Sequence, residues 1–212
     1  MVSTGILAVW NNCAPGHEAV YEQWYQTEHL IERLGVPGFE RGRRYEAIEG
    51  AKRFFTYYET ESPEVLQSAA YLERLNHPTP LTKRIMSGIL IDMSRTVCRR
   101  VTCHGGMRGA CAITFAFSQP VPTSVLEECL DLAFDSTLVA RAEVWAAAED
   151  EERDPSVEER LRGRDDKIAS CLFVETLRED AGRALQARLA ERLSNTPMQS
   201  GLYRLMCELE AG

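Results

Sequence analysis

The chain predicts an α+β fold in which one β-α-β-β-α-β unit occurs twice, and three observations carry that prediction. Strand and helix signals recur in the same order on either side of a Gly105-Gly106 junction. The first strand is apolar on both faces (Ile6, Ala8 and Trp10 against Leu7 and Val9), so both need cover. The 212 residues, 44% of them apolar, suffice for two units of about 100 residues sharing one core.

Residues 5–12 read as the first strand, rich in β-formers and closed by Asn11-Asn12 and Pro15-Gly16 turn signals. Over residues 17–34, Val20, Trp24, Thr27, Ile31 and Leu34 recur at three- and four-residue spacing, which predicts a helix with one buried stripe. Gly35, Pro37 and Gly38 end it. Strands over 39–48 and 52–60 follow, joined by Glu49-Gly50-Ala51 as a hairpin. Ser62-Pro63-Glu64 opens a second helix that Pro78 stops, a short segment covers 80–86, and 88–101 forms a fourth strand.

After a linker over 102–108 the pattern begins again. It gives a strand at 111–117, a helix at 124–134, strands at 138–148 and 168–177, a helix at 181–193 and a last strand at 202–209. One such unit is the ferredoxin-like split βαβ arrangement, two helices on one face of a four-stranded antiparallel sheet. A second copy in the chain covers the other face by packing sheet to sheet. The expectation is two ferredoxin-like repeats, 1–104 and 105–212, fused into one intrachain barrel. The charged run over 149–166 reads as a solvated, partly helical insertion, with an interaction surface or lid as its alternative.

Composition removes several function classes. Net charge is −8, and basic and acidic residues balance at 12 each over 1–106 but stand at 12 against 20 over 107–212. This is no polyanion footprint, which argues against nucleic acid and anionic membrane as partners. No stretch approaches the roughly 20 apolar residues of a membrane span, and residues 1–10 lack the pattern of a secretory signal, so the expected compartment is the cytoplasm. Seven scattered cysteines without paired spacing read as reduced thiols, with neither a disulfide framework nor a zinc site. No phosphate loop, nucleophile elbow or H-E-x-x-H motif is present.

The two copies are unequal in chemistry. All four histidines, six of seven tyrosines and two of three tryptophans precede residue 107. The segment Trp24-Tyr25-Gln26-Thr27-Glu28-His29-Leu30, then Val36-Pro37-Gly38-Phe39 and Arg41-Gly42-Arg43-Arg44-Tyr45, resembles the first helix and second strand of EthD-like proteins. These belong to the dimeric α/β-barrel superfamily, with muconolactone isomerase-like proteins, antibiotic-biosynthesis monooxygenases and haem-binding chlorite dismutases. The resemblance implies a pocket between the helices and the sheet of the first copy. The matching helix of the second copy, from Val125 to Leu130, has neither the motif nor a Pro-Gly exit, so one site per chain is expected.

Within that site His29 is the leading catalytic candidate, since an imidazole near an apolar cleft can act as acid, base or hydrogen-bond donor at neutral pH. Tyr25 lies one turn before it and Glu32 or Arg33 one turn after. The alternative is a structural His29 that bonds a backbone carbonyl and packs on Trp24. Tyr45 joins His29 and Tyr25 as a catalytic candidate, and Trp24, Glu28, Arg43, Tyr57 and Tyr58 are ligand-binding candidates. Strand alternation puts Arg41, Arg43 and Tyr45 on one face and Arg44 on the other, where an inward arginine suits a carboxylate or phenolate, or an acidic partner within the protein. His77 raises haem ligation, but Pro78 points to a surface turn. Cys103-His104 matches no metal pattern.

Two functions follow as expectations. One is a small enzyme of catabolic or secondary metabolism, with no metal and no obligatory cofactor, acting on an aromatic or carbonyl-bearing molecule. The other is a non-catalytic small-molecule-binding or accessory protein. A small-molecule ligand is the expected partner in both, and pairing of two such pseudo-dimers stays open.

Overall fold

The computed structural model describes residues 4–149 and 153–212. Eight antiparallel strands close a barrel: β1 (Gly5–Cys13), β2 (Phe39–Gly50), β3 (Phe54–Thr60), β4 (Leu90–His104), β5 (Cys111–Phe117), β6 (Val139–Ala147), β7 (Ser170–Thr176) and β8 (Gln199–Glu210). Their order around the barrel is β1-β3-β2-β8-β5-β7-β6-β4. Each copy thus contributes four adjacent strands. The copies join edge to edge, β2 to β8 from Arg41↔Glu210 to Gly50↔Gly201, and β4 to β6 from Cys98↔Ala147 to His104↔Ala142.

This is the expected intrachain barrel, and in it the inner sheet faces are covered by strands across the closed barrel. Closure removes all four exposed sheet edges, a gain that face-to-face packing lacks. It also explains why the fourth strand runs on to His104, into the presumed linker: Thr102, Cys103 and His104 pair with Val144, Glu143 and Ala142.

An eight-stranded barrel is just wide enough for inward side chains to fill. Trp10, Tyr45, Phe55, Tyr57, Trp145, Phe173 and Tyr203 pack its centre, each no more than 3% exposed. Ring pairs such as Trp10–Phe55 at 4.9 Å and Trp145–Phe173 at 4.7 Å hold close stacked contact. Toward one end this aromatic layer gives way to Arg43, Arg100, Arg141, Glu59, Glu143 and Glu175, all buried.

Helices cover the outside. On the first sheet lie α1 (Glu18–Trp24), a π-helical turn (Tyr25–His29), α2 (Leu30–Leu34) and α3 (Ala69–Asn76). The segment over 80–86 is a helix, α4 (Pro80–Met86), started by Pro80 and capped by the Thr79 hydroxyl, which accepts from Thr82 N at 3.0 Å. On the second sheet lie α5 (Thr123–Phe134) and α7 (Glu179–Arg192) over an apolar layer that includes Ile113, Phe115, Leu126, Leu130, Leu172 and Leu189. The charged insertion carries one helix, α6 (Val157–Arg162), begun by a capping box between Ser156 and Glu159. It packs against α3 and α4 of the other copy.

Phe173→Ala in the barrel centre is expected to lower the unfolding free energy by about 3–5 kcal/mol in urea titration. Ile31→Ala, at a side chain 54% exposed, is expected to stay within about 0.5 kcal/mol. Equal costs at the two positions would contradict a close-packed barrel interior.

Candidate functional site

The first helix buries only part of the stripe its periodicity predicts, with Trp24 and Leu34 in the core but Thr27 and Ile31 exposed. Tyr21, Trp24, Tyr25, His29, Leu30, Arg33 and Leu34 face inward, while Ile31 is exposed. The reason is the π-helical turn from Tyr25 to His29. One extra residue in the turn rotates the following helix by about 100°, bringing His29 and Arg33 onto the sheet. Gly42 below makes room: a Cβ there would lie 2.8 Å from the Leu30 side chain.

His29 sits in an aromatic nest. Its ring centroid lies 4.0 Å from Trp24, 5.2 Å from Tyr25 and 6.5 Å from Tyr58. Trp24 is fixed by its indole N–H, which donates to the Thr82 hydroxyl at 2.8 Å. Tyr25 lies under the Arg44 guanidinium, 4.1 Å from the ring centre, and Arg44 is paired in turn with Glu22. His29 Nδ1 is buried with no hydrogen-bond partner among the described residues, so the expected structural alternative, a bond from this nitrogen to a backbone carbonyl, is not seen, although the packing on Trp24 is. Burial, then the charges of Arg33, Arg162 and Arg44, push the imidazole well below its ordinary range, so it is neutral at pH 7.

Beside His29 is a cavity of about 20 Å³, room for about one water. Its walls include Leu7, Tyr25, Tyr58, Tyr71, Arg33 and Arg95, and α6 closes it with Glu158 and Arg162. Glu158 comes from the second copy, yet its carboxylate is the partner of Arg33: Arg33 Nη2 donates to Oε1 at 2.8 Å and to Oε2 at 2.7 Å. Both side chains are 3% exposed. Burial opposes the charge on Arg33, but Glu158 more than compensates and holds its pKa above the usual arginine range. The Tyr58 hydroxyl and Arg33 Nη1 are buried and have no hydrogen-bond partner among the described residues. Arg95 donates to the Tyr71 hydroxyl at 2.8 Å.

The predicted residues therefore divide across the sheet. Trp24, Tyr25, His29 and Tyr58 gather on the outer, helix-covered face. Tyr45, Tyr57 and Arg43 point into the barrel, because alternation sends Tyr57 and Tyr58, or Arg43 and Arg44, to opposite sides. The expected convergence of Tyr45, Tyr57 and Arg43 with His29 is corrected accordingly. Tyr45 donates to Glu175 Oε1 at 2.7 Å, and Arg43 pairs with Glu175 and Glu208. Glu28 is turned away from the cavity by the π turn and accepts from the Thr79 hydroxyl at 2.5 Å.

Haem does not fit the one histidine considered for it. His77 closes α3 on the surface, its side chain 70% exposed and its Nδ1 3.0 Å from the Glu73 carbonyl oxygen. Among its described residues the charged insertion is mostly solvated and partly helical, as expected, with the exception of Ser156 and Glu158, each only 2% exposed. Arg33, Tyr71, Arg95, Glu158 and Arg162 are polar cavity residues not among the sequence candidates. Arg33 could be flagged as one turn after His29, and the pattern Ser156-x-x-Glu159 marks a helix start within the charged run. No local signal says that Glu158 reaches the other copy.

No family model matches the chain, and no curated protein matches it significantly. Solved structures do resemble it. An anthrone oxidase-like protein superposes with a TM-score of 0.64 at 11% identity, over 99% of this chain and 94% of that one. A monooxygenase candidate from Fusobacterium nucleatum gives 0.61 at 8% identity, over 100% and 97%. A chlorite dismutase candidate gives 0.55 at 10% identity, over 98% and 96%. The chain has the dimeric α/β-barrel fold. At these identities the likeness establishes the barrel and leaves its chemistry to the site, since such folds host many reactions. In this barrel the matching outer face of the second copy is filled by aliphatic, cysteine and phenylalanine side chains.

The depressed pKa of His29 has a stability consequence. The unfolded chain takes up a proton near pH 6.5 and the folded one only at lower pH, so acidification through this window favours unfolding. Relative to His29→Gln, the wild type is expected to lose stability between pH 7.5 and 5.5 in denaturant titrations. A difference constant over that range would contradict a buried neutral imidazole.

Proposed function

We propose that the protein is a small-molecule enzyme with one site per chain, around His29, acting on an aromatic or carbonyl-bearing molecule by proton transfer through its own side chains. The observation that carries this reading is the buried, neutral His29 whose Nδ1 has no partner among the described residues beside a cavity walled by Tyr25, Tyr58 and Arg33. In this reading Nδ1 accepts a proton from a C–H next to a carbonyl or from a phenol, the imidazole becomes imidazolium, and the ligand becomes an enolate or phenolate. Arg33 stabilises the developing oxyanion in a site that excludes water. Tyr25 and Tyr58 give the ring edges that orient an aromatic ligand. The name of the anthrone oxidase-like neighbour agrees with an aromatic substrate.

A second reading is a non-catalytic small-molecule binder. Its support is that the Glu158 carboxylate already occupies Arg33, which leaves only about 20 Å³ free.

Exchange of the methylene protons of anthrone in D2O, followed by NMR, separates the two. The enzyme reading predicts that the protein accelerates exchange and that His29→Gln lowers this acceleration about 100-fold or more, with Tm within about 2 °C of the wild type. Acceleration unchanged in His29→Gln would remove His29 from the reaction. Anthrone binding with no acceleration would favour the binder.

A further inference from the structure

We infer that the site takes an aromatic carboxylate, and that Glu158 is a built-in stand-in for the ligand's carboxylate that such a ligand displaces from Arg33. This deepens the preceding reading and rests on its placing the pocket beside His29. Three observations carry it.

First, Arg33 is made for a carboxylate and is only half used. Glu158 takes both its bonds from the single nitrogen Nη2, whereas Nη1 has no hydrogen-bond partner among the described residues although the side chain is 3% exposed. A guanidinium that meets a carboxylate fork to fork uses two nitrogens. A free ligand can adopt that geometry, while a glutamate tethered to α6 is held to what the helix position permits. The Tyr58 hydroxyl and His29 Nδ1 in the same walls are further unmatched polar atoms, and the tyrosine rings supply aromatic contact.

Second, the cavity has a charged approach. Outside it lies a groove of about 600 Å³ between α6 and β4, and Arg95 lines both spaces. Arg95, Arg160 and Arg164 line it, with Arg153 paired to Glu159 and Asp165 paired to Arg162. In a chain of net charge −8 this is a local cationic surface, which attracts an anion and repels little of it on the way in.

Third, the exchange is energetically modest where simple opening is not. Withdrawing Glu158 alone leaves a buried, unpaired guanidinium, which is costly. Substituting one carboxylate for another keeps Arg33 paired throughout, and the released Glu158 on α6 returns to water near the cationic groove. The pair therefore holds the site closed and yields most readily to the matching anion.

The test uses 2-naphthoate and the neutral 2-naphthol as probes, with isothermal titration calorimetry on the wild type, Glu158→Gln and the double variant Arg33→Met/Glu158→Gln. Expected is 2-naphthoate binding at least tenfold tighter to Glu158→Gln than to the wild type, and loss of that gain in the double variant. Affinity for 2-naphthol is expected to stay within about threefold across the proteins that expose the pocket. In the wild type, 2-naphthoate is expected to raise Tm more than 2-naphthol at equal concentration, which tests the idea even if a variant folds poorly. If 2-naphthol binds and 2-naphthoate shows no preference for the Arg33-containing proteins, the carboxylate inference is overturned and the pocket stands. If neither probe binds any of the three proteins, the pocket reading falls as well.

Discussion

The Arg33–Glu158 ion pair is the constraint on which the site depends. It joins the first copy's helix to an insertion of the second copy, over 125 residues of sequence, at a place where both side chains are only 3% exposed. A buried charge without its partner costs several kcal/mol, so the pair fixes α6 over the His29 cavity more firmly than the short helix's own packing could. Through it, a site built wholly from first-copy side chains is closed by the second copy. That is a physical reason for one chain to carry both halves.

A different set of charges serves the barrel. Arg43, Arg100, Arg108 and Arg141 interleave with Glu59, Glu143 and Glu175 at one end of the interior. Glu143, despite the burial that opposes its ionisation, is held below the usual carboxylate range by Arg100, Arg141 and the Trp145 indole. Burial wins at Glu175 and raises its pKa against the pull of Arg43 and Tyr45. These strand arginines and tyrosines look like site residues in sequence because polar groups of catalytic type are scarce in cores. Here the arginines pair with the glutamates within the barrel and Tyr45 donates to Glu175, and the sheet separates them from His29.

Much of the fold was legible because it rests on local chemistry. Period-two strands, Pro and Gly stops and the repeated element order mark eight strands and the main helices. The cluster Trp24, Tyr25, His29 and Tyr58 was legible too. Three features were not. The π turn adds a residue without any sequence marker, and so the stripe through Thr27 and Ile31 is misphased. Alternation gives opposite faces to Tyr57 and Tyr58 but does not say which face the helix covers, so Tyr45 and Arg43 seemed able to meet His29. The partner of Arg33 is a tertiary contact between copies, which no spacing rule reaches.

A double-mutant cycle on Arg33 and Glu158, read as unfolding free energies in urea, tests most directly whether this pair holds the site closed. Glu158→Leu and Arg33→Met are each expected to cost about 3–5 kcal/mol, and the double variant to recover to within about 1 kcal/mol of the wild type, since a charge-free pair leaves nothing uncompensated. Additive costs, or single variants within about 0.5 kcal/mol of the wild type, would contradict the account.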